Sequence, residues 1–226
     1  MQQENPINPI PTVVMVLALA MVLVEGALSL GAAGVIGGPE AIGWRLTTLQ
    51  DYAYAPAVWE QVAARGNLSP DMLKRFVTYL FVHGSFTHVV FALVILLALG
   101  KFVGDLWHPV SLLVVFFGAG IFGAVIYGAT ALGNVPLYGA YPALYGLIGA
   151  YTYLMWLHLK SVGENSLRAF TLIAVLLGLQ LVWGVLFDAA PHWIADVAGF
   201  GFGLAVSPLL GPGGWSAFVA RMRERR

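Results

Sequence analysis

The chain contains no cysteine, which excludes disulfides, a thiolate nucleophile and any cysteine-held metal. Charge is also scarce. Only 10% of its 226 residues are Asp, Glu, Lys or Arg, where a soluble domain carries roughly 25%. The formal net charge is zero, so the electrostatic footprint of a nucleic-acid partner is missing. No glycine-rich phosphate loop follows a strand, so no nucleotide is expected. No pair of ligating residues has metal-site spacing, and no cofactor or metal is expected. Met1 to Pro9 carries Glu4 and no basic residue, which does not fit the basic start of a secretory signal. Serine is absent between Ser111 and Ser161, which excludes a serine nucleophile from that whole stretch.

Apolar residues fill the space charge leaves. They make up 59% of the chain, and mean hydropathy is +0.82. The composition is that of a polytopic membrane protein, and the length suits a single domain over 1–226. About 20 mostly apolar residues cross the hydrocarbon as a helix. Six segments qualify: 12–37, 86–104, 109–132, 139–159, 168–187 and 191–210, the last two interrupted by polar residues and by Pro191 and Pro208. Lipid-facing backbone must bond internally, so the spans are helical and the fold class is all-α, a six-helix membrane bundle. Lys101, Lys160, Arg168 and the basic tail over 211–226, with Arg221, Arg223, Arg225 and Arg226, place the even-numbered links and both termini in the cytoplasm. Arg45, Arg65, Lys74 and Arg75 in the first link run against that rule, offset by Glu40, Asp51, Glu60 and Asp71. That link, 38–85, mixes Trp44, Tyr52, Tyr54 and Trp59 with scattered charge; such a mixture suits helices lying in the extracytoplasmic interface. The tail is expected to anchor to anionic lipid. With no organelle-targeting segment in view, a bacterial inner membrane is the expected location.

Small residues recur at helical spacing. Ala195, Gly199 and Gly203 form one stripe, and Gly139, Gly146 and Gly149 supply another in the fourth span. Such stripes let helix backbones approach closely.

Three segments between 73 and 210 carry a resemblance. The first is Arg75-Phe-Val-Thr78, followed by His83-Gly-Ser-Phe-Thr-His88 and, four positions later, Ala92. The second is Gly139-Ala-Tyr141-Pro-Ala-Leu-Tyr145-Gly146. The third is Ala195-Asp196-Val-Ala-Gly199-Phe-Gly-Phe-Gly203. In order, on the expected spans, they resemble the rhomboid family of intramembrane serine proteases. That resemblance implies the six-span bundle, and it assigns chemical roles to four positions. The family nucleophile, a serine in Gly-x-Ser-x-Ala, stands at Tyr141. The base, a histidine in Ala-His-x-x-Gly, stands at Asp196. The oxyanion donors stand at His88 and at Ala92, where the family has asparagine. Tyr145, beside the former dyad, is kept.

Three of these four groups are changed against the chemistry. A phenol is a poor acylation centre and its bulk fills the space of a scissile carbonyl. A carboxylate, with an ordinary pKa near 4, is badly matched to general-base work at neutral pH. Alanine donates no hydrogen bond to an oxyanion, a loss that typically costs about 10²–10³ in rate. Ser85, near His83 and His88 in sequence, is the one alternative nucleophile, though such spacing builds no triad by itself.

Glu25 and Asp196 are ionisable residues inside spans, where charge is costly and functional or paired. Asp196 has two readings. It either accepts from the Tyr141 hydroxyl, with His88 as a third member, or is wetted at the outer end of its span. Glu25 either snorkels, pairs or meets a partner. His83 reads as a loop histidine, and His108, His158 and His192 as residues at span ends. The resemblance leads to a pseudoprotease that binds the transmembrane segments of integral membrane proteins through Tyr141, Tyr145, Asp196, His88 and Glu25, acting as chaperone, adaptor or assembly subunit. The alternatives are an active rhomboid-type serine endopeptidase, and a transporter or proton pathway through Glu25, His88 and Asp196.

Overall fold

Prolines and glycines set where the helices start and stop. The computed structural model describes residues 9–130, 135–187, 190–214, 216 and 223. Helix α1 (Thr12–Ala32) follows Pro11, and a 3₁₀ turn at Pro39–Gly43 leads into α2 (Trp44–Tyr52). Short α3 (Pro56–Trp59) runs into a π-turn at Glu60–Ala64, and α4 (Pro70–Thr78) begins on its own proline, which is tolerated in a first turn. Ser85 caps α5 (Phe86–Gly104), its hydroxyl accepting from the His88 amide at 3.2 Å. Helices α6 (Pro109–Thr130), α7 (Tyr141–Ser161), α8 (Thr171–Phe187) and α9 (Trp193–Leu210) complete the chain. Among the described residues there is no strand beyond one isolated antiparallel bridge between Tyr54 and Leu137.

Four helices, α1, α5, α6 and α9, are long and apolar enough to cross a membrane. The expected fourth and fifth spans do form helices, α7 and α8, but neither joins that set. Helix α8 has 17 residues, short of the roughly 20 a perpendicular crossing needs. Helix α7 is less apolar because it carries four tyrosines, His158 and Lys160. Its neighbours explain this composition. From Pro142 to Ala150 every residue of α7 is buried, so α7 is the axis of the bundle and faces protein rather than lipid. The outer helices show the reverse. On α1, Val14, Leu17 and Met21 face inward while Val16, Leu19 and Leu23 are exposed. So large an exposed apolar surface belongs against lipid.

Helices α6, α7 and α9 pack together most extensively, and glycine makes it possible. A methyl group on Gly199 would collide with the Pro142 carbonyl oxygen, and one on Gly203 with that of Gly146. Gly146 in turn lies against Ala119 of α6. Backbone meets backbone along the α7–α9 seam.

The first link is helical, as its aromatic content suggested, and it is tied down by two motif residues. Arg75 Nη1 donates to the Gln50 and Ala53 carbonyls at 2.7 and 3.2 Å, and the Thr78 hydroxyl to that of Tyr52 at 3.0 Å. These are the free carbonyls at the end of α2, which a helix cannot satisfy itself. The Arg-x-x-Thr element is thus a clasp between α2 and α4. The bridge at Tyr54 then joins the link to the stretch that enters α7. Arg221, Arg225 and Arg226 of the basic tail lie outside the described residues, and Arg223 is exposed.

Candidate functional site: a cavity between α5, α7, α8 and α9

The turn before α7 sets the geometry. Gly139 has φ +95°, a left-handed conformation that disfavours any side chain, and a Cβ there would press on the His88 ring at 2.7 Å. Its amide donates to the Tyr79 carbonyl at 2.9 Å. This turn delivers Tyr141 to the first turn of α7, facing α5. The Tyr141 ring stacks on His88, with centroids 5.1 Å apart and planes at 23°. His83 stands edge-on to the other side of His88 at 5.1 Å, and its Nε2 accepts from the Ala140 amide at 3.4 Å. Burial, and then the neighbouring His88, push the His83 pKa down to about 4, so this ring is neutral at pH 7.

The resulting cavity is about 450 Å³. It is lined by His88 of α5, Leu137 and Tyr138 ahead of α7, Tyr141 and Pro142 of α7, Gln180 of α8, and His192 and Asp196 at the start of α9. Three sequence-predicted residues line this cavity, His88 from α5, Tyr141 from α7 and Asp196 from α9. The predicted hydrogen bond between Tyr141 and Asp196 does not form. Asp196 instead accepts from Gln180 Nε2 at 2.7 Å, through Oδ2. Asp196 stands in the first turn of α9, only 3% exposed, and lines the cavity. Gln180 escaped the sequence reading. Its signal was present, an isolated amide inside an apolar segment, but its partner sits 16 residues away on a different helix.

His192 was read as a residue of the membrane interface and is part of the cavity wall. Its ring stands edge-on to Tyr127 and Tyr138, at 5.8 and 5.7 Å. Its Nε2 is buried without a partner.

The remaining candidates lie apart from the cavity wall. Ala92 is one turn beyond His88 on α5, with no exposed surface. Tyr145 is one turn deeper on α7, packed with Ile148 and Ile173. Glu25 is occupied within the chain. Arg45 of α2 grips it with Nη1 at 2.9 Å and Nη2 at 2.6 Å, and Ser29 adds a third hydrogen bond at 2.6 Å. Arg45 Nη1 also donates to the His83 carbonyl at 2.8 Å. This network ties α1, the first link and the loop before α5 into one unit.

No serine, threonine or cysteine lines the cavity. Ser85 is exposed and caps its helix. Chemically the site offers two phenols, two imidazoles, an amide and a carboxylate. These groups bind and orient, but none is an alcohol poised beside a base. A family model, described as the Rhomboid domain, matches residues 70–213, nearly two thirds of the chain and all four helices around the cavity. No curated protein matches.

Proposed function

The chain belongs to the rhomboid family, and from that membership we propose that it is a pseudoprotease, which binds the transmembrane segments of integral membrane proteins and does not cleave them. The observation that carries this reading is the content of the family's reaction cavity. Where the family resemblance calls for an alcohol and an imidazole, the cavity holds the Tyr141 phenol stacked on His88 and the Asp196 carboxylate held by Gln180. The phenol's ordinary pKa is about 10 and its ring occupies the attacking position. The carboxylate's free energy of interaction is directed at an amide rather than at a nucleophile. Ala92 supplies no donor for a developing oxyanion. Helices α7 and α9 pack backbone to backbone at Gly199 and Gly203, which supports a kept helix packing around replaced chemical groups.

In this reading the chain spans the membrane six times. Helix α8 makes a tilted or locally thinned crossing, and α7 crosses inside a sheath of neighbours. Both termini face the cytoplasm, and the membrane is a bacterial inner membrane. Partner segments enter laterally beside α5 or α8. Of the long helices, α8 packs least against the rest of the bundle among the described residues, and is therefore the easiest to displace.

The test is site-directed photo-crosslinking in proteoliposomes. A photoreactive residue at Tyr138 is expected to capture an intact transmembrane segment of a partner. Capture of a trimmed segment, or cleavage of a generic transmembrane substrate that is lost in Ser85→Ala, identifies an active protease instead.

A further inference from the structure

Beside the phenol hydroxyls of Tyr138 and Tyr141 the cavity residues carry unpartnered acceptors, and the one carboxylate has no cationic partner among the described residues. The two carboxylates buried in the helix bundle invite comparison. Glu25, 4% exposed, has the Arg45 guanidinium on both oxygens. Asp196, 3% exposed, has no cationic partner among the described residues, only the neutral Gln180 amide on Oδ2. Buried carboxylates within a bilayer are ordinarily paired. Two further polar atoms on residues that line the same cavity have no partner. Gln180 Oε1 is buried without a partner, because its amide nitrogen is turned to Asp196. His192 Nε2 is likewise buried and unpartnered, a ring nitrogen that accepts in one of the two neutral tautomers. With Asp196 Oδ1, to which no described side chain donates, they make three acceptors. The aromatic faces of Tyr138 and Tyr141 complete the lining.

Three acceptors, one negative charge and two π faces describe the complement of an alkylammonium group. That group has three N–H donors, one positive charge and no acceptor. A hydroxyl or an amide would satisfy fewer of these atoms and leave the charge unmatched. A metal ion is a poorer match, since among the described residues no three His, Asp or Glu side chains are grouped to hold one.

We propose that this cavity is a receptor for a lysine ammonium carried within the transmembrane segment of the partner protein, with Asp196, Gln180 and His192 as its three acceptors. The inference rests on the binding role proposed above and specifies what is bound. A lysine inside a lipid-facing helix is itself unfavourable, so transfer into this cavity relieves both proteins of an unpaired charge. Recognition then selects partner segments by a mid-membrane cation rather than by apolar shape.

The test uses the full chain in phosphatidylcholine nanodiscs, which contain no primary amine. The probe is a fluorescent transmembrane peptide with a single mid-depth lysine, compared with the same peptide carrying methionine there. The lysine peptide is expected to bind at least tenfold more tightly and to remain uncut. That preference is expected to fall below threefold in Asp196→Asn and to be reduced in Gln180→Met, a second variant that leaves the carboxylate in place. Equal binding of the two intact peptides overturns the lysine inference and leaves the binding role standing. Cleavage of either peptide overturns the binding role itself. Repeating the measurement with phosphatidylethanolamine separates the sources of the ammonium. Unchanged lysine preference is expected, and loss of it assigns the cavity to a lipid headgroup and overturns the partner-lysine proposal.

Discussion

Replacing Glu25 by alanine removes three hydrogen bonds at once, two from Arg45 and one from Ser29. It also strands a guanidinium whose remaining acceptors are the His83 carbonyl and, at 3.4 Å, the Ser29 hydroxyl. Each charge-assisted bond contributes about 1.5–3 kcal/mol, and breaking one side of a buried pair costs about 3–5 kcal/mol. The Arg45 side chain is 22% exposed against 5% for Glu25, so one end of the pair reaches solvent or headgroups and the expected loss is reduced to about 2–3 kcal/mol. A double-mutant cycle with Arg45→Ala isolates the pairwise share. The readout is tryptophan fluorescence during unfolding in mixed micelles. The coupling is expected at about 2 kcal/mol, a shift of roughly thirtyfold in the folding equilibrium. Hydrogen exchange at the amides following His83 should accelerate in both single variants, because the same guanidinium holds that loop. A coupling below about 0.5 kcal/mol, the value of an exposed pair, would refute the view that the first link is anchored through the membrane domain.

Three further outcomes follow from the packing and from one histidine. Gly199→Val should destabilise by about 3 kcal/mol or more, the upper end of overpacking, since its side chain meets the Pro142 carbonyl; Gly178→Ala, with nothing near its Cβ position, should be neutral or slightly stabilising in the same unfolding assay. Tyr79→Phe removes the 2.7 Å hydrogen bond to the Gly120 carbonyl and should cost about 1–2 kcal/mol. His83 binds its proton near 6.5 when unfolded and near 4 when folded, so the unfolded chain holds more protons between those values and stability falls as pH drops through them. Between pH 7.5 and 5 the loss should be about 2 kcal/mol, and His83→Asn should abolish that part of the slope.

Much of the helix pattern was legible because lipid demands long apolar runs. The segments read at 86–104 and 109–132 correspond to α5 and α6 with almost the same limits. Helix α7 shows where that logic weakens. Its glycines and tyrosines suit a helix enclosed by other helices, and hydropathy alone does not distinguish a lipid-facing span from a central one. At the site, motif spacing brought Tyr141 and Asp196 to one cavity, since each sits at a fixed place on a helix. It could not give their hydrogen-bond partners. Asp196 pairs with Gln180, and Glu25 with Arg45, and both partners come from other elements whose position depends on the completed bundle. His192 shows the same limit. Sequence puts it at a helix end, and only the fold turns that end toward the cavity.

The central claim is that this rhomboid binds and does not cut. The most direct measurement is fluorophosphonate labelling of the purified chain in liposomes, read by mass spectrometry beside a co-reconstituted transmembrane substrate. No serine adduct and no cleavage product are predicted. An adduct mapped to Ser85 or another serine, with product formation that disappears when that serine becomes alanine, would contradict the account.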